Sequence, residues 1–162
     1  MEKAERFKET YGFQKAYGSY EKLLADPKVE AVYIPLPNTM HYEWTIRALK
    51  SGKHVLCEKP LAPTEAQAEE MFKAAEENHV YLMEAFAYQH SPYIAAVRKE
   101  IENGTIGDVR YMESAYITSD YDPKNIRMRR DTLGGCTYDL GVYNTSPVSY
   151  THLRAHETSA HL

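Results

Sequence analysis

The sequence has little of what builds a disulfide framework, a membrane span or a nucleic-acid surface. Its 162 residues include only two cysteines, Cys57 and Cys136, so we expect reduced thiols and a cytoplasmic location. The longest apolar runs are a few residues long and the N-terminus opens on charge, which argues against a bilayer span and a signal peptide. The net charge is −4 without a basic block, which argues against nucleic acid or an anionic membrane as a partner.

The C-terminal end resembles translated sequencing adapter, and the alternative is an unusual but genuine disordered tail. His152 and His156 lie four residues apart, a spacing that could place two metal ligands on one helix face. However, the run from Val148 to Thr158 resembles, residue by residue, the translation of a transposase adapter used in sequencing libraries. We therefore predict that residues 147–162 are a non-native tail, and we predict no metal site.

The rest of the sequence alternates between helical and strand-like segments. Apolar positions at helical spacing, with capping residues and glycines at the ends, predict helices, and short apolar runs bounded by turn residues predict strands. This alternation is typical of a parallel sheet with helices on both faces. The predicted helices are 1–12, 17–25, 39–51, 64–78 and 92–103, and the predicted strands are 31–34, 54–57 and 80–83.

The pattern changes after Gly107. Residues 109–117 form one long strand-like segment that no helix follows at the same interval. This favours an antiparallel sheet in a second domain, with a boundary near Gly107.

Lys59 is the first candidate for chemistry. It stands between Glu58 and Pro60, directly after a predicted buried strand. Ligands of open α/β sheets bind beyond the carboxyl ends of the strands, and a lysine that is desolvated there is suited to proton handling. The competing interpretation is a surface Glu–Lys pair of little energetic weight.

Asp139 and Tyr143 are the second candidates. Four residues apart, they share one face if the segment is helical. A nearby ammonium such as that of Lys59 would favour the phenolate and make Tyr143 useful as an acid–base group. The alternative is that Tyr143 is one more packed tyrosine among fourteen.

Pro37, Asn38 and His41 follow the end of the first predicted strand. Asn38 could hydrogen-bond a ribose or an amide there. Equally, Pro and Asn are common turn residues, and His41 could simply cap or pack.

Together these segments resemble the glucose–fructose oxidoreductase, inositol dehydrogenase and rhizopine-catabolism family (Gfo/Idh/MocA). Five stretches carry the resemblance, in order and spacing: 26–34, which resembles the family's third strand; 37–41, its Pro-Asn-x-x-His loop; 52–60, its most diagnostic string; 83–86, a strand end; and 134–143, its active-site helix.

The resemblance implies a partial Rossmann domain, with a doubly wound parallel sheet, over residues 1–107, lacking its first two strands. Residues 108–146 would begin an α+β substrate and oligomerisation domain with a mainly antiparallel sheet. The implied activity is that of an NAD(P)-dependent oxidoreductase, which transfers a hydride from a sugar, polyol or dihydrodiol hydroxyl to NAD or NADP. The alternatives are an NAD-dependent glycoside hydrolase of the same family and a non-catalytic fragment. The parent is expected to be a homo-oligomer acting on a small-molecule substrate, and the fragment by itself is expected to be inactive.

The resemblance also implies roles for individual residues. Lys59, Asp139 and Tyr143 would be catalytic, and a tyrosine at position 143, where much of the family has histidine, resembles the dihydrodiol and xylose dehydrogenase branch. The residues that would bind the cofactor are Pro37, Asn38, His41, Glu58 and Lys59.

The sequence departs from the family pattern at two places. Leu133 stands where the family's glycine run begins, so the loop there is expected to be tighter or shifted. None of the eight glycines forms the Gly-x-Gly-x-x-Gly turn that holds a pyrophosphate.

Overall fold

The computed structural model describes residues 1–119 and 122–147. The segment from residue 148 onward, with His152 and His156, lies outside the described residues. The non-native tail therefore stays a prediction.

Most predicted elements between residues 1 and 103 are present, with ends that differ by one to three residues. β1 and β2 have the predicted bounds, whereas β3 begins two residues later than predicted. The helices are α1 Glu2–Tyr11, α2 Tyr20–Leu24, α3 Asn38–Lys50, α4 Glu65–Glu77, α5 Pro92–Glu102 and α6 Val142–Thr145, and the strands are β1 Ala31–Ile34, β2 His54–Cys57 and β3 Leu82–Glu84. Short 3₁₀ turns occupy Ala87–His90, Ile126–Met128 and Arg130–Thr132, and a π-helical turn occupies Thr137–Gly141.

Local capping explains where several helices begin and end. The Thr64 hydroxyl accepts a hydrogen bond from the backbone N–H of Gln67 at the start of α4, and Ser19 does the same for Lys22 at α2. Gly12 ends α1 in the left-handed conformation, at φ 71°. These are the caps that the sequence predicts, and each satisfies a backbone group that the helix leaves unpaired.

The three strands pair in parallel in the order β1-β2-β3, with Ala31 opposite His54 and Val55 opposite Leu82. This pairing corrects one prediction. In the strand order 3-2-1-4-5-6, two other strands separate the third strand from the fourth. Because β1, β2 and β3 follow one another in the chain and pair side by side, they fit positions 1-2-3 or 4-5-6 of that order, and the assignment of β1 to the third strand is wrong. No glycine-rich turn follows β1, as it would follow a first strand, so β1 fits the fourth position.

The helices that follow β1 and β2 pack on one face of this parallel sheet. α3 and α4 pack on the face that carries Ile34, Val55 and Cys57, where Leu49 and Met71 are fully buried. The chain moves from β1 to β3 in one direction across the sheet, so right-handed crossovers place both helices on the same side. The opposite face presents a row of partly exposed side chains: Tyr33, Leu56 and Met83.

The predicted strand over residues 109–117 is wrong for this structure. The segment forms no strand and is mostly exposed, and among the described residues it pairs with no other strand. A strand is stabilised by a ladder of hydrogen bonds to a neighbour, and the described residues include no antiparallel neighbour for it.

Within the described ranges, no helix combines the length and the apolar character needed to cross a bilayer.

We expect Leu49→Ala to be strongly destabilising, because Leu49 is fully buried between the sheet and its helices. The free energy of unfolding, measured with urea, should fall by about 2–5 kcal/mol. Val97→Ala on α5, at a side chain that is 38% exposed, serves as the control and should change it by less than about 0.5 kcal/mol. Equal effects of the two substitutions would contradict the assigned core.

Candidate active site

The carboxyl ends of β1 and β2 form one wall of a cleft. Because parallel strands point the same way, the residues that follow each strand meet at one edge of the sheet. A cavity of about 160 Å³ lies at this edge, and a wider cleft of about 740 Å³ adjoins it. Four side chains line both spaces: Glu58, Lys59, Arg127 and Asp139.

Lys59 and Asp139 form an ion pair across 80 positions of sequence. The Lys59 Nζ donates to Asp139 Oδ1 at 2.9 Å and also to the main-chain oxygen of Asp139. The two side chains are only 10% and 19% exposed. The Arg127 Nε donates to the same Oδ1 at 3.2 Å, from a side chain that is 58% exposed. One carboxylate oxygen therefore binds two cations.

The π-helical turn and α6 place Asp139 and Tyr143 on the side that faces Lys59, as the helical spacing predicts. The Lys59 Nζ lies 4.9 Å from the centroid of the Tyr143 ring, which is a cation–π contact. Tyr116 stacks on the same ring at 5.5 Å between centroids, and Phe86 and Tyr88 contact it edge-on. The ring is thus held on several sides.

The acid–base expectation for Tyr143 requires a correction. Its pKa is raised above 10.0, first by burial and then by the negative charge of Glu58. The ammonium of Lys59 faces the ring and does not stand beside the hydroxyl, where it would lower the pKa of the phenol. Its hydrogen bonds go to Asp139. The phenol is therefore protonated at neutral pH, and not the phenolate that the sequence analysis favours.

Glu58, the first residue after β2, interacts with Tyr33 on the neighbouring strand β1. The Tyr33 hydroxyl donates to Glu58 Oε1 at 2.5 Å. This hydrogen bond, with some burial, raises the pKa of Tyr33 to about 12. The carboxylate is thereby fixed at the rim of the smaller cavity.

The other predicted cofactor residues differ in where they lie. Asn38 and His41 line the smaller cavity, but their polar atoms contact protein: Asn38 Nδ2 donates to the carbonyl oxygen of Leu133 at 2.8 Å. His41 is fully buried, and each ring nitrogen lies 2.8 Å from a carbonyl oxygen, those of Leu36 and Pro60. Pro37 precedes α3 and its carbonyl accepts from Met40.

Three residues that shape the site were not predicted from the sequence. Arg127 and Tyr33 received no role, because a loop arginine and a strand tyrosine lack a spacing that ties them to Asp139 or Glu58. Glu84 stands in the string 83–86, yet nothing in that string indicates that its carboxylate turns inward.

Glu84 supports the segment that carries Lys59. Its Oε1 accepts a hydrogen bond from the backbone N–H of Leu61 at 2.8 Å, just beyond the cis Lys59–Pro60 bond. Burial raises the pKa of Glu84, and the Leu61 N–H and the charge of Lys59 oppose that rise only in part.

The two cysteines lie in different surroundings. Cys57 is fully buried at the end of β2, and burial raises the pKa of its thiol to about 12. Cys136 is exposed, directly before the π-helical turn.

Comparisons with known proteins show which family the chain resembles. The model of an oxidoreductase family with an NAD-binding Rossmann fold (Gfo/Idh/MocA) matches residues 1–86, and the model of the Gfo/Idh/MocA C-terminal domain matches residues 94–162. The chain is 40% identical over 142 residues to dTDP-3,4-didehydro-2,6-dideoxy-alpha-D-glucose 3-reductase of Actinomadura kijaniata, which covers 88% of the chain and 42% of that relative. It is 36% identical over 144 residues to trans-1,2-dihydrobenzene-1,2-diol dehydrogenase of Xenopus laevis, covering 88% of the chain and 43% of the relative.

A solved structure is also similar. The crystal structure of a 3-ketoreductase from Actinomadura kijaniata in complex with NADP and TDP-benzene matches with a TM-score of 0.85 and 37% identity, over 93% of this chain and 46% of that one. The chain thus spans less than half the length of these relatives.

We expect Glu84→Gln to stabilise the protein at neutral pH. The folded-state pKa of Glu84 is raised from 4.5, so the stability that the carboxyl contributes is fully present below about pH 4.5 and is lost as the pH rises through the raised value. Glutamine keeps an acceptor for the Leu61 N–H and removes the buried charge. Urea unfolding at pH 8 should require more urea for the variant, and the difference should shrink towards pH 4.5.

Glu69→Gln on the exposed face of α4 is the matched control and should give no such pH-dependent difference. An E84Q variant less stable than the parent at pH 8 would contradict the burial of this charge.

Proposed function

The chain belongs to the Gfo/Idh/MocA oxidoreductase family, and we propose that it carries part of the active site of an NAD(P)-dependent oxidoreductase. The reaction is the transfer of a hydride between nicotinamide and the carbon of a sugar, polyol or dihydrodiol hydroxyl. The observation that carries the proposal is the position of the Lys59 ammonium, which is 2.9 Å from Asp139 Oδ1 and 4.9 Å from the centre of the Tyr143 ring.

The residues at the smaller cavity fit the nicotinamide side of the cofactor. A carboxylate at its rim, that of Glu58, can accept from the hydroxyls of a ribose or the N–H₂ of a carboxamide, and Lys59 donates. The diphosphate side needs a glycine-rich turn that this sequence does not contain. When bound, the nicotinamide supplies the hydride chemistry.

The residues of the chain handle the proton. In the reducing direction, the Tyr143 hydroxyl donates a proton to the substrate oxygen, because its raised pKa keeps it protonated at neutral pH. The Lys59 ammonium binds the same oxygen and stabilises the negative charge that develops on it. Asp139 holds Lys59 in place, with its charge shared by Arg127.

The remaining features of the parent stay predictions. These are the domain boundary near Gly107, the start of the substrate domain at 108–146, a homo-oligomeric state and a cytoplasmic location. The two free cysteines are consistent with a reducing compartment.

We expect Lys59→Met to lower the turnover number of the full-length protein by about 10²–10⁴-fold, because both proton handling and charge stabilisation at the substrate oxygen are lost. The measurement is the absorbance of reduced nicotinamide with a panel of sugar, polyol and dihydrodiol substrates. Lys73→Met on α4, where the side chain is 75% exposed, is the matched control and should leave turnover unchanged.

Turnover of K59M at the rate of the parent would overturn the catalytic assignment. Stoichiometric accumulation of the reduced or oxidised cofactor distinguishes a dehydrogenase from a hydrolase that recycles its cofactor.

A further inference from the structure

We propose that Asn38 is a positioning residue. It anchors the loop 125–135 to the first turn of α3 and so fixes the position at which Asp139 contacts Lys59. We call this segment the arginine loop, because it carries Arg127, Arg129 and Arg130. The inference rests on the proposed function, since it concerns the same site.

The contact joins two distant parts of the chain. The side-chain N–H₂ of Asn38 donates to the carbonyl oxygen of Leu133 at 2.8 Å, across 95 positions of sequence. Asn38 is the first residue of α3, so its backbone is fixed by the helix that packs on the sheet. The donor is therefore a rigid point, and the acceptor lies in a loop.

Backbone hydrogen bonds close the arginine loop on itself. Gly134 N–H donates to the Arg129 carbonyl at 2.8 Å, and Gly135 N–H donates to the Arg127 carbonyl at 2.7 Å. A Cβ at Gly134 would lie 2.6 Å from each of these two carbonyl oxygens, so only glycine allows this approach. Because the loop is internally closed, one anchoring bond can fix all of it.

The anchoring bond is made at the strained residue of the loop. Leu133 has φ 54°, in the left-handed region that favours glycine. This is the position at which the sequence departs from the family's glycine run. The bond from Asn38 to the Leu133 carbonyl holds this residue in a conformation that a leucine disfavours.

Both ends of the arginine loop reach Asp139. The Arg127 Nε donates to Asp139 Oδ1 at 3.2 Å, and the carbonyl of Gly135 accepts from the Asp139 backbone N–H at 3.0 Å. Asp139 in turn holds the Lys59 ammonium. Asn38 thus acts on Lys59 through the loop, rather than by touching the reacting atoms.

The decisive substitution is Asn38→Asp in the full-length protein. Aspartate has the same shape and keeps an acceptor oxygen, but it cannot donate to Leu133. A carboxylate in the first turn of a helix is favourable, so α3 is retained. We expect trypsin to cleave after the three loop arginines about tenfold faster and the turnover number to fall about tenfold, with the KM for the cofactor unchanged.

Asn78→Asp is the matched control. The Asn78 amide likewise donates to a backbone carbonyl, that of Ala74 at 2.8 Å, but it lies at the end of α4, away from the arginine loop. It should leave both loop cleavage and turnover unchanged. Gly134→Ala should reproduce the effect of N38D with Asn38 intact, because the added Cβ forces the loop open.

Three outcomes would overturn the inference. In the first, N38D is cleaved at the parental rate. In the second, it raises the KM for the cofactor while the loop stays protected, which would make Asn38 a direct cofactor contact. In the third, faster cleavage extends equally to α3 and α4, which would indicate general unfolding. Trypsin cleavage can be measured without turnover. A protein without dehydrogenase activity would therefore contradict the proposed function, while its cleavage pattern would still test the contact between Asn38 and the arginine loop.

Discussion

The carboxylate of Asp139 is the contact on which the rest of the site depends. It accepts hydrogen bonds from Lys59, which follows the second strand, and from Arg127, which lies in a loop that arrives much later in the chain. A largely buried charge is costly unless it is paired, and removing one partner costs far more than an exposed pair contributes. With two cations on one oxygen, loss of either leaves the carboxylate partly compensated, whereas loss of the carboxylate leaves the Lys59 ammonium without its counter-charge in a site where it is only 10% exposed.

The parallel sheet positions the residues that surround the contact between Lys59 and Asp139. Consecutive parallel strands with crossovers on a single face bring Tyr33, Glu58 and Glu84 to neighbouring positions near the same edge. Each then makes a contact that stiffens the Lys59 segment or its surroundings: Tyr33 with Glu58, and Glu84 with the Leu61 N–H. The precision of the site thus comes from the regular part of the fold, while the arginine loop supplies the second cation.

Much of the fold can be predicted from the sequence, because its signals are local. The runs 31–34 and 54–57 are short, apolar and bounded by proline or glycine, and both form strands with the predicted bounds. The resemblance identified Lys59, Asp139 and Tyr143, and these three meet in the structure. The features that could not be predicted are those set by partners in space. Residues 109–117 have the composition of a strand, but they find no neighbour to pair with among the residues that the structure describes. The position of β1 in the sheet depends on which strand it bonds.

The electrostatics of Tyr143 and the role of Asn38 show the same limit. The sequence analysis supposed that an ammonium such as that of Lys59 would lie near Tyr143, and it does. Whether the ammonium lowers the pKa of the phenol depends on whether it meets the hydroxyl or the ring face, and sequence does not contain that information. A contact between Asn38 and a ribose or an amide stays a prediction, and the hydrogen bond from its side chain to the carbonyl of Leu133 could not be read from the sequence.

Because the two thiols lie in different surroundings, only one of them can be labelled with a thiol-reactive dye. Alkylating reagents attack the thiolate, and the thiol of Cys57 is both enclosed and held protonated. A maleimide dye therefore attaches at Cys136 alone, one residue beyond the arginine loop and three before Asp139. Its fluorescence would follow the opening and closing of that loop without any engineered cysteine.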